Sequence, residues 1–325
     1  MERYKHLNTY LKEKFGERTL KIPVDGGFTC PNRDGKVGYG GCIFCTERGS
    51  GEHLKTKPIP IQIKEHLESY RGKRANKFIV YFQNFTNTYD TIENLKVKYD
   101  SSLIDDRIVG IDIATRPDCI NEEVCQLLQS YSSVNTEMSL SKIGSKASIK
   151  NETNIKEKSY SVTVELGLQT SNEEIAKQIN RGYSLDVFTN AVKLLNNYNI
   201  EVVVHMMIGL PNETMQDIEN TVKYINSLNM QGIKIHSTYV AKGTVLEKMY
   251  KEGKYEPLTL EEYIDKLLYV ITHLRQDIII HRISGDAPKD LLVAPDWNLH
   301  KKWMLNGLDK MMRKQNRFQG DTKIL

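Results

Sequence analysis

The chain has 325 residues, 39% hydrophobic and 26% charged, with 45 Lys+Arg against 41 Asp+Glu for a formal charge of +4. This composition excludes disordered, collagenous and low-complexity classes, and no run approaches the ~18 apolar residues of a membrane span. The opening stretch MERYKHLNTYLKEKFGERTLK lacks the apolar segment of a signal peptide, so a cytoplasmic protein with no membrane partner is expected.

Residues 1–19 read as an N-terminal helix. From there to about residue 240, short apolar runs alternate with helical stretches. The strands are read at Leu20–Val24, Lys77–Gln83, Arg107–Ala114, Ser161–Gln169, Glu201–Ile208 and Ile233–Val240. Helices such as Leu185–Asn196 and Met215–Leu228 repeat apolar residues every three or four positions. This alternation predicts an α/β protein with a parallel sheet, open or closed into a barrel. In SVTVELGLQT, Val162, Val164, Leu166 and Leu168 share one face while Thr163, Glu165, Gly167 and Gln169 share the other. Polar groups on the inner face of a helix-covered strand predict a ligand-holding lumen. The same split places Tyr81 and Gln83, Asp112 and Arg116, His205 and Met207, and Lys234 and His236 inside. Residues 133–159, rich in Ser, Lys and Asn, break the rhythm and read as a mobile surface insertion. Beyond Tyr255, stretches at Thr259–Arg275 and about Asn298–Arg317 form an extension, 256–325, expected to pack on the main body 20–255.

The five cysteines are Cys30, Cys42, Cys45, Cys119 and Cys125, an odd number that argues for metal or redox chemistry rather than a disulfide framework. The first three lie in GGFTCPNRDGKVGYGGCIFC with spacing C-x11-C-x2-C, on a glycine-rich loop directly after the first strand. Three thiolates without a fourth protein ligand suit an iron–sulfur cluster with one open iron. A zinc site completed by His53 is the alternative that spacing alone leaves open. Cys125 shares a helix with Val124, Leu127 and Leu128 and reads as core, whereas Cys119 follows Asp118 at the barrel mouth as a candidate catalytic thiol or a buried structural one.

The ordered set YFQNFTNTY, ATRPDC, VELGLQT, INRGY, HMMIGLPNET, KIHSTYVAKGTVLEKMYKEGKY and HRISGDAPKDLL, together with the cysteine loop, resembles the radical S-adenosylmethionine superfamily. Within it the chain resembles the YhcC/YtqA-like family and, more distantly, the radical domain of the Elongator catalytic subunit and anaerobic coproporphyrinogen oxidase. The first cysteine gap is longer than the superfamily's usual C-x3-C-x2-C, as in a subgroup. The resemblance implies a partial (β/α)6 TIM-like barrel with a helical C-terminal extension. It also implies a 4Fe-4S cluster on Cys30, Cys42 and Cys45, and reductive cleavage of S-adenosyl-L-methionine to a 5′-deoxyadenosyl radical. Reduced ferredoxin or flavodoxin is the implied electron donor.

Carried onto this sequence, the resemblance makes Phe44 a border for the adenine, Thr86 a hydroxyl contact and Gln169 a cofactor-binding glutamine. Arg181 in NRGY becomes the partner of the methionine carboxylate, Glu165 a group near the ribose or amino end, and Gly49 and Gly51 an imperfect paired-glycine motif. Two departures stand out: Ala114 replaces a glutamate before the TRPD-like turn, and His205 replaces an aspartate on the fifth strand, so Glu165 is expected to compensate. His205, Lys234 and His236 are candidates for a substrate role or for satisfied interior hydrogen bonds.

Two basic stretches bear on the substrate. YRGKRANK carries Arg71, Lys73, Arg74 and Lys77. LHKKWMLNGLDKMMRKQNRF carries Lys301, Lys302, Lys310, Arg313, Lys314 and Arg317 against Asp309. In the second, Leu299, Trp303, Leu308, Met311 and Met312 are expected to face the core. Such patches track a phosphate backbone or simply solvate a helix. The Elongator resemblance implies tRNA, with C5 chemistry on the wobble uridine. The absence of an acetyltransferase-like segment in this chain points to remodelling of an existing side chain. Radical chemistry on a small, porphyrin-like molecule, activation of a partner protein, and a zinc-loop RNA-binding module are the competing readings.

Overall fold

The computed structural model describes residues 2–49, 54, 56–132 and 158–322. Gly51, His53 and nearly all of the expected insertion at 133–159 lie outside the described residues. In chain order the elements are α1 (Leu7–Phe15), β1 (Thr19–Val24), α2 (Ile59–Glu68), β2 (Lys77–Phe82), α3 (Ile92–Asp100), β3 (Ile108–Thr115), α4 (Glu122–Ser132), β4 (Ser161–Gln169), α5 (Glu173–Gln178), α6 (Leu185–Asn197), β5 (Glu201–Ile208), α7 (Met215–Ser227) and β6 (Gly232–Ser237). They continue with β7 (Val240–Ala241), α8 (Val245–Lys251), α9 (Leu260–His273), β8 (Ile279–Arg282), β9 (Leu292–Ala294) and α10 (Lys301–Lys314).

Seven strands form one sheet in the order β1-β2-β3-β4-β5-β6-β8, every neighbouring pair parallel. The sheet curls into a partial barrel whose edge strands, β1 and β8, do not pair. The stretch read as an extension therefore contributes a strand to the main sheet. Alternation explains the layering: Val162, Val164, Leu166 and Leu168 of β4 are buried against the outer helices, in one core with Phe188 and Val192 of α6 and Ile218 and Val222 of α7. The opposite face of β4 is left to line the interior.

α1 crosses the N-terminal mouth of the barrel. Its Tyr10 and Lys14 both bond Glu201, the first residue of β5, at 2.9 and 2.7 Å, and the Phe15 carbonyl accepts from Lys77, the first residue of β2. Just ahead of the helix, Ile280 N–H donates to the Lys5 carbonyl, so the N-terminal segment runs along the free edge of β8.

In α10 the buried line is Met304, Leu308 and Met312, spaced four apart, with Met311 packed at its margin. Trp303 is not on that line. It is 53% exposed and stacks on His300 with ring centroids 4.0 Å apart, and Leu299 is 41% exposed, which corrects their expected core-facing placement. No helix among the described residues is long and apolar enough to cross a membrane.

Candidate active site

The cysteine loop follows β1. Arg33 and Asp34 N–H both donate to the Cys30 carbonyl, and Cys45 N–H donates to that of Cys42. Between these turns, Gly40 and Gly41 take φ of 78° and 79°, left-handed values that only glycine adopts cheaply, and they bring the chain back to Cys42. The NRGY turn holds the loop from below. Asn180 Nδ2 donates to the Gly41 carbonyl at 2.8 Å, Asn32 Nδ2 donates to the Asn180 carbonyl at 2.6 Å, and Ile43 N–H bonds the Ile179 carbonyl.

Arg181 departs from its expected place at the methionine carboxylate of the cofactor. Its side chain is 1% exposed and wholly committed: Nε donates to the Tyr183 carbonyl, Nη1 to the Leu168 and Thr170 carbonyls, and Nη2 pairs with Glu173. It ties the end of β4 to the turn under the cysteine loop, and a free carboxylate would have to displace one of those bonds. Arg116, expected in the lumen, instead pairs with Asp118 at the β3 mouth and donates to the Arg181 carbonyl.

A cavity of about 760 Å³, its open mouth included, lies at the carboxyl ends of β4, β5 and β6 against the cysteine loop. Phe44, Cys45, Gly49, Gln169, His205 and His236 all line it. Residues far apart in the sequence thus meet where barrel enzymes place their ligands. The Gln169 side-chain amide oxygen, Oε1, accepts from the Tyr183 hydroxyl. At the mouth ends of β2 and β6, Thr86 Oγ1 and His236 Nε2 are buried without a hydrogen-bond partner. Such orphans are costly unless a ligand meets them, so both fit a polar cofactor. Burial, reinforced by His205 and Arg282, holds the His236 imidazole neutral, well below the usual histidine range.

Below the cavity each of the seven strands contributes one polar interior residue: Lys21, Tyr81, Asp112, Glu165, His205, Lys234 and His281. Glu165 is their hub and is fully buried. It bonds Lys21 Nζ at 3.0 Å and His205 Nε2 at 2.9 Å, and it also pairs with Lys234. Lys21 additionally pairs with Asp112 and reaches His281 Nδ1 at 3.5 Å, and Lys234 sits 4.0 Å over the Tyr81 ring. Burial works against the Glu165 charge, but Lys234, Lys21 and the His205 bond outweigh it and keep the carboxyl well below its usual range. Lys21, also opposed by burial, is raised to about 12 by Asp112 and Glu165. Lys234 is lowered to about 7 by burial, with Lys21 and Arg282 nearby, against the pull of Glu165.

Glu165 was expected beside a ribose or amino group; its oxygens here are occupied by two lysines and a histidine. Of the candidate catalytic residues, His205 and His236 reach the cavity and Lys234 is enclosed beneath it. Cys119 is not among the cavity's lining residues. It stands on the outer side of the cysteine loop with Pro31, Lys36 and Tyr89, and burial and Asp118 push its thiol up to about 12. Cys125 is fully buried in the core. Lys21 and His281 escaped the sequence reading. Lys21 alternates with Leu20, Ile22 and Val24, a signal that was available, whereas His281 follows three consecutive isoleucines that hide its face.

Three candidate thiols are therefore held by a tight loop at the mouth. Burial and the neighbouring Cys45 push the Cys42 thiol up to about 12. Arg33 Nη1 donates to Cys45 Sγ at 3.5 Å and to the Thr46 carbonyl at 2.6 Å. Among the described residues no three His, Cys, Asp or Glu side chains are gathered to hold a single metal ion.

A parallel partial barrel with a cysteine loop after its first strand is the architecture of radical S-adenosylmethionine enzymes. The sequence profile of the radical SAM superfamily matches residues 30–225, and that of the radical SAM C-terminal domain matches residues 230–314. The chain belongs to this superfamily and is one of its enzymes, with S-adenosylmethionine and a 4Fe-4S cluster as cofactors. It is 36% identical over 322 residues to the uncharacterized protein YtqA of Bacillus subtilis, covering 98% of this chain and 92% of that one. Elongator complex protein 3 of Schizosaccharomyces pombe is 27% identical over 233 residues, 69% of this chain but 36% of that protein. Among solved structures, the archaeal Methanocaldococcus infernus Elp3 superposes with a TM-score of 0.62 at 18% identity. That match covers 93% of this chain and 64% of the other, and it shows the shared fold.

Proposed function

We propose that Cys30, Cys42 and Cys45 hold the 4Fe-4S cluster and that S-adenosylmethionine occupies the cavity lined by Phe44, Gly49 and Gln169, with the unpartnered Thr86 hydroxyl as a further contact. The reading rests on one observation: the cysteine loop and the polar ends of β4, β5 and β6 line the same cavity. When bound, the two cofactors supply a 5′-deoxyadenosyl radical by one-electron reductive cleavage. The protein's own residues orient and shield. Asn180 and Asn32 fix the cysteine loop, and Arg33 places a positive N–H donor on Cys45. His205, anchored by Glu165, and neutral His236 face the substrate side. Gly49 stands for the paired-glycine motif, with Gly51 outside the described residues.

The substrate is tRNA, modified on the C5 side chain of its wobble uridine, with reduced ferredoxin or flavodoxin as electron donor in the cytoplasm. The fold shared with an Elp3 and the exposed basic faces support this. On α10, Lys302, Lys310 and Lys314 share an outer face with exposed Trp303. Mass spectrometry of tRNA nucleosides from cells with and without the gene tests it. Loss of one modified wobble uridine and accumulation of its precursor is expected; identical profiles refute the RNA substrate.

A further inference from the structure

A second cavity, larger than the first at about 1250 Å³ with its open mouth, runs along the seam where β8 and β1 fail to pair. α1 lies along one side and α10 along another. Its lining carries five cations, Lys21, Arg71, Lys234, Arg282 and Lys301, and a single carboxylate, Asp286. The two deep lysines are matched by Asp112 and Glu165 behind them. At the rim three cations meet only Asp286, which Arg282 and Lys301 share at 3.2 and 3.3 Å. Arg71 is exposed and makes no ion pair among the described residues. Arg71 and Lys301 come from the two basic stretches noted in the sequence, which are 230 residues apart and meet only here.

We infer that this seam cleft is a phosphate-binding site that seats the backbone of an RNA substrate, an inference that rests on the RNA reading above. Two guanidiniums and an ammonium at one rim favour phosphate oxygens, which arginine engages bidentately. The cations come from three separate elements, the turn before β2, the end of β8 and the start of α10. Their charge continues outside the cleft as Lys73, Arg74 and Lys302, which fits an extended polyanion. The cleft and the cofactor-side cavity share a wall: His205 lines one, Lys21 and Lys234 line the other, and all three bond Glu165. The deep end of the cleft therefore lies one layer of side chains from the cavity.

The test uses the anaerobically prepared full chain, fluorescently labelled bulk tRNA and, separately, inorganic tripolyphosphate, with salt varied. The double variant Arg71→Glu/Lys301→Glu should lose at least about tenfold in tRNA affinity, and its log–log salt slope should become shallower by about two. Lys193→Glu, exposed on the outer face of α6, should bind as the parent does. If tRNA binds and the double variant matches the parent, or if Lys193→Glu loses as much, the cleft assignment falls while the RNA reading stands. If tRNA does not bind but tripolyphosphate does, and the double variant loses it, the phosphate site stands and the RNA reading falls. If the parent binds neither probe, the cleft assignment is overturned.

Discussion

Replacing Glu165 by Gln removes one buried negative charge with almost no change of shape. Two buried lysines and His205 lose their common partner. Breaking a buried ion pair from one side costs about 3–5 kcal/mol, because a charge is left uncompensated. At pH 8 the cost belongs at the low end, about 3 kcal/mol: Lys234, already lowered to about 7, has shed its proton, so the loss falls on Lys21, which keeps Asp112. At pH 5.5 the parent's folded state holds a proton on Lys234 and the variant's does not, while both unfolded chains hold it. The parent then binds one more proton when folded, so the gap widens as pH falls, by about 1.4 kcal/mol per unit below 7. Glu165 itself is ionised in both states over this range and adds no slope. The loss should therefore reach about 5 kcal/mol at pH 5.5. An unfolding entropy of about 0.7 kcal/mol/K for 325 residues converts these losses into falls in Tm of about 4 °C and about 7 °C. Urea and thermal unfolding at the two pH values measure them. A loss under about 1 kcal/mol at both, or an equal loss at both, refutes an ionised Glu165 paired with Lys234.

Glu213 offers the opposite sign. It is half-buried, its carboxylate accepts the Gly209 N–H at 2.7 Å, and desolvation raises it to about 8. Between pH 4.5 and 8 the folded state binds more protons, so stability falls as pH rises. Glu213→Gln should stabilise by at least about 2 kcal/mol at pH 8, with the gain shrinking toward zero near pH 4.5; a gain independent of pH contradicts this. Each of Cys30→Ser, Cys42→Ser and Cys45→Ser should drop iron and sulfide to background while the far-UV circular dichroism stays unchanged. Retention of both elements in any one of them removes that cysteine from the cluster. Arg33→Met deletes the donor to Cys45 Sγ and should shift the cluster's midpoint potential downward in a redox titration followed by electron paramagnetic resonance. An unchanged potential means that the bond is not made in the loaded protein.

Alternation made the barrel interior legible. In β4, four apolar side chains separate cleanly from three polar ones and a glycine, and Glu165 and Gln169 fall on the inner face as read. The same rule located Tyr81, Asp112, His205 and Lys234, because each strand is covered outside and polar inside. It failed at β8, where Ile278, Ile279 and Ile280 run together and four residues carry too little pattern to announce an edge strand. Trp303 was misplaced because several apolar residues near it fit a helical stripe, and only packing selects Met304, Leu308 and Met312. Arg181 shows a different limit. Its partners are mostly main-chain carbonyls from Leu168, Thr170 and Tyr183, and no motif reveals where carbonyls point. The seam cleft was equally hidden, since Arg71 and Lys301 become neighbours only once the sheet curls.

The central claim is that the cysteine loop carries a cluster which, with S-adenosylmethionine, performs radical chemistry on RNA. Its most direct test is anaerobic purification with iron, sulfide and zinc analysis, followed by dithionite and S-adenosylmethionine with and without bulk tRNA. About four irons and four sulfides per chain, with 5′-deoxyadenosine released faster when tRNA is present, is the result this account predicts. Stoichiometric zinc with no cleavage of S-adenosylmethionine, persisting after cluster reconstitution, contradicts it.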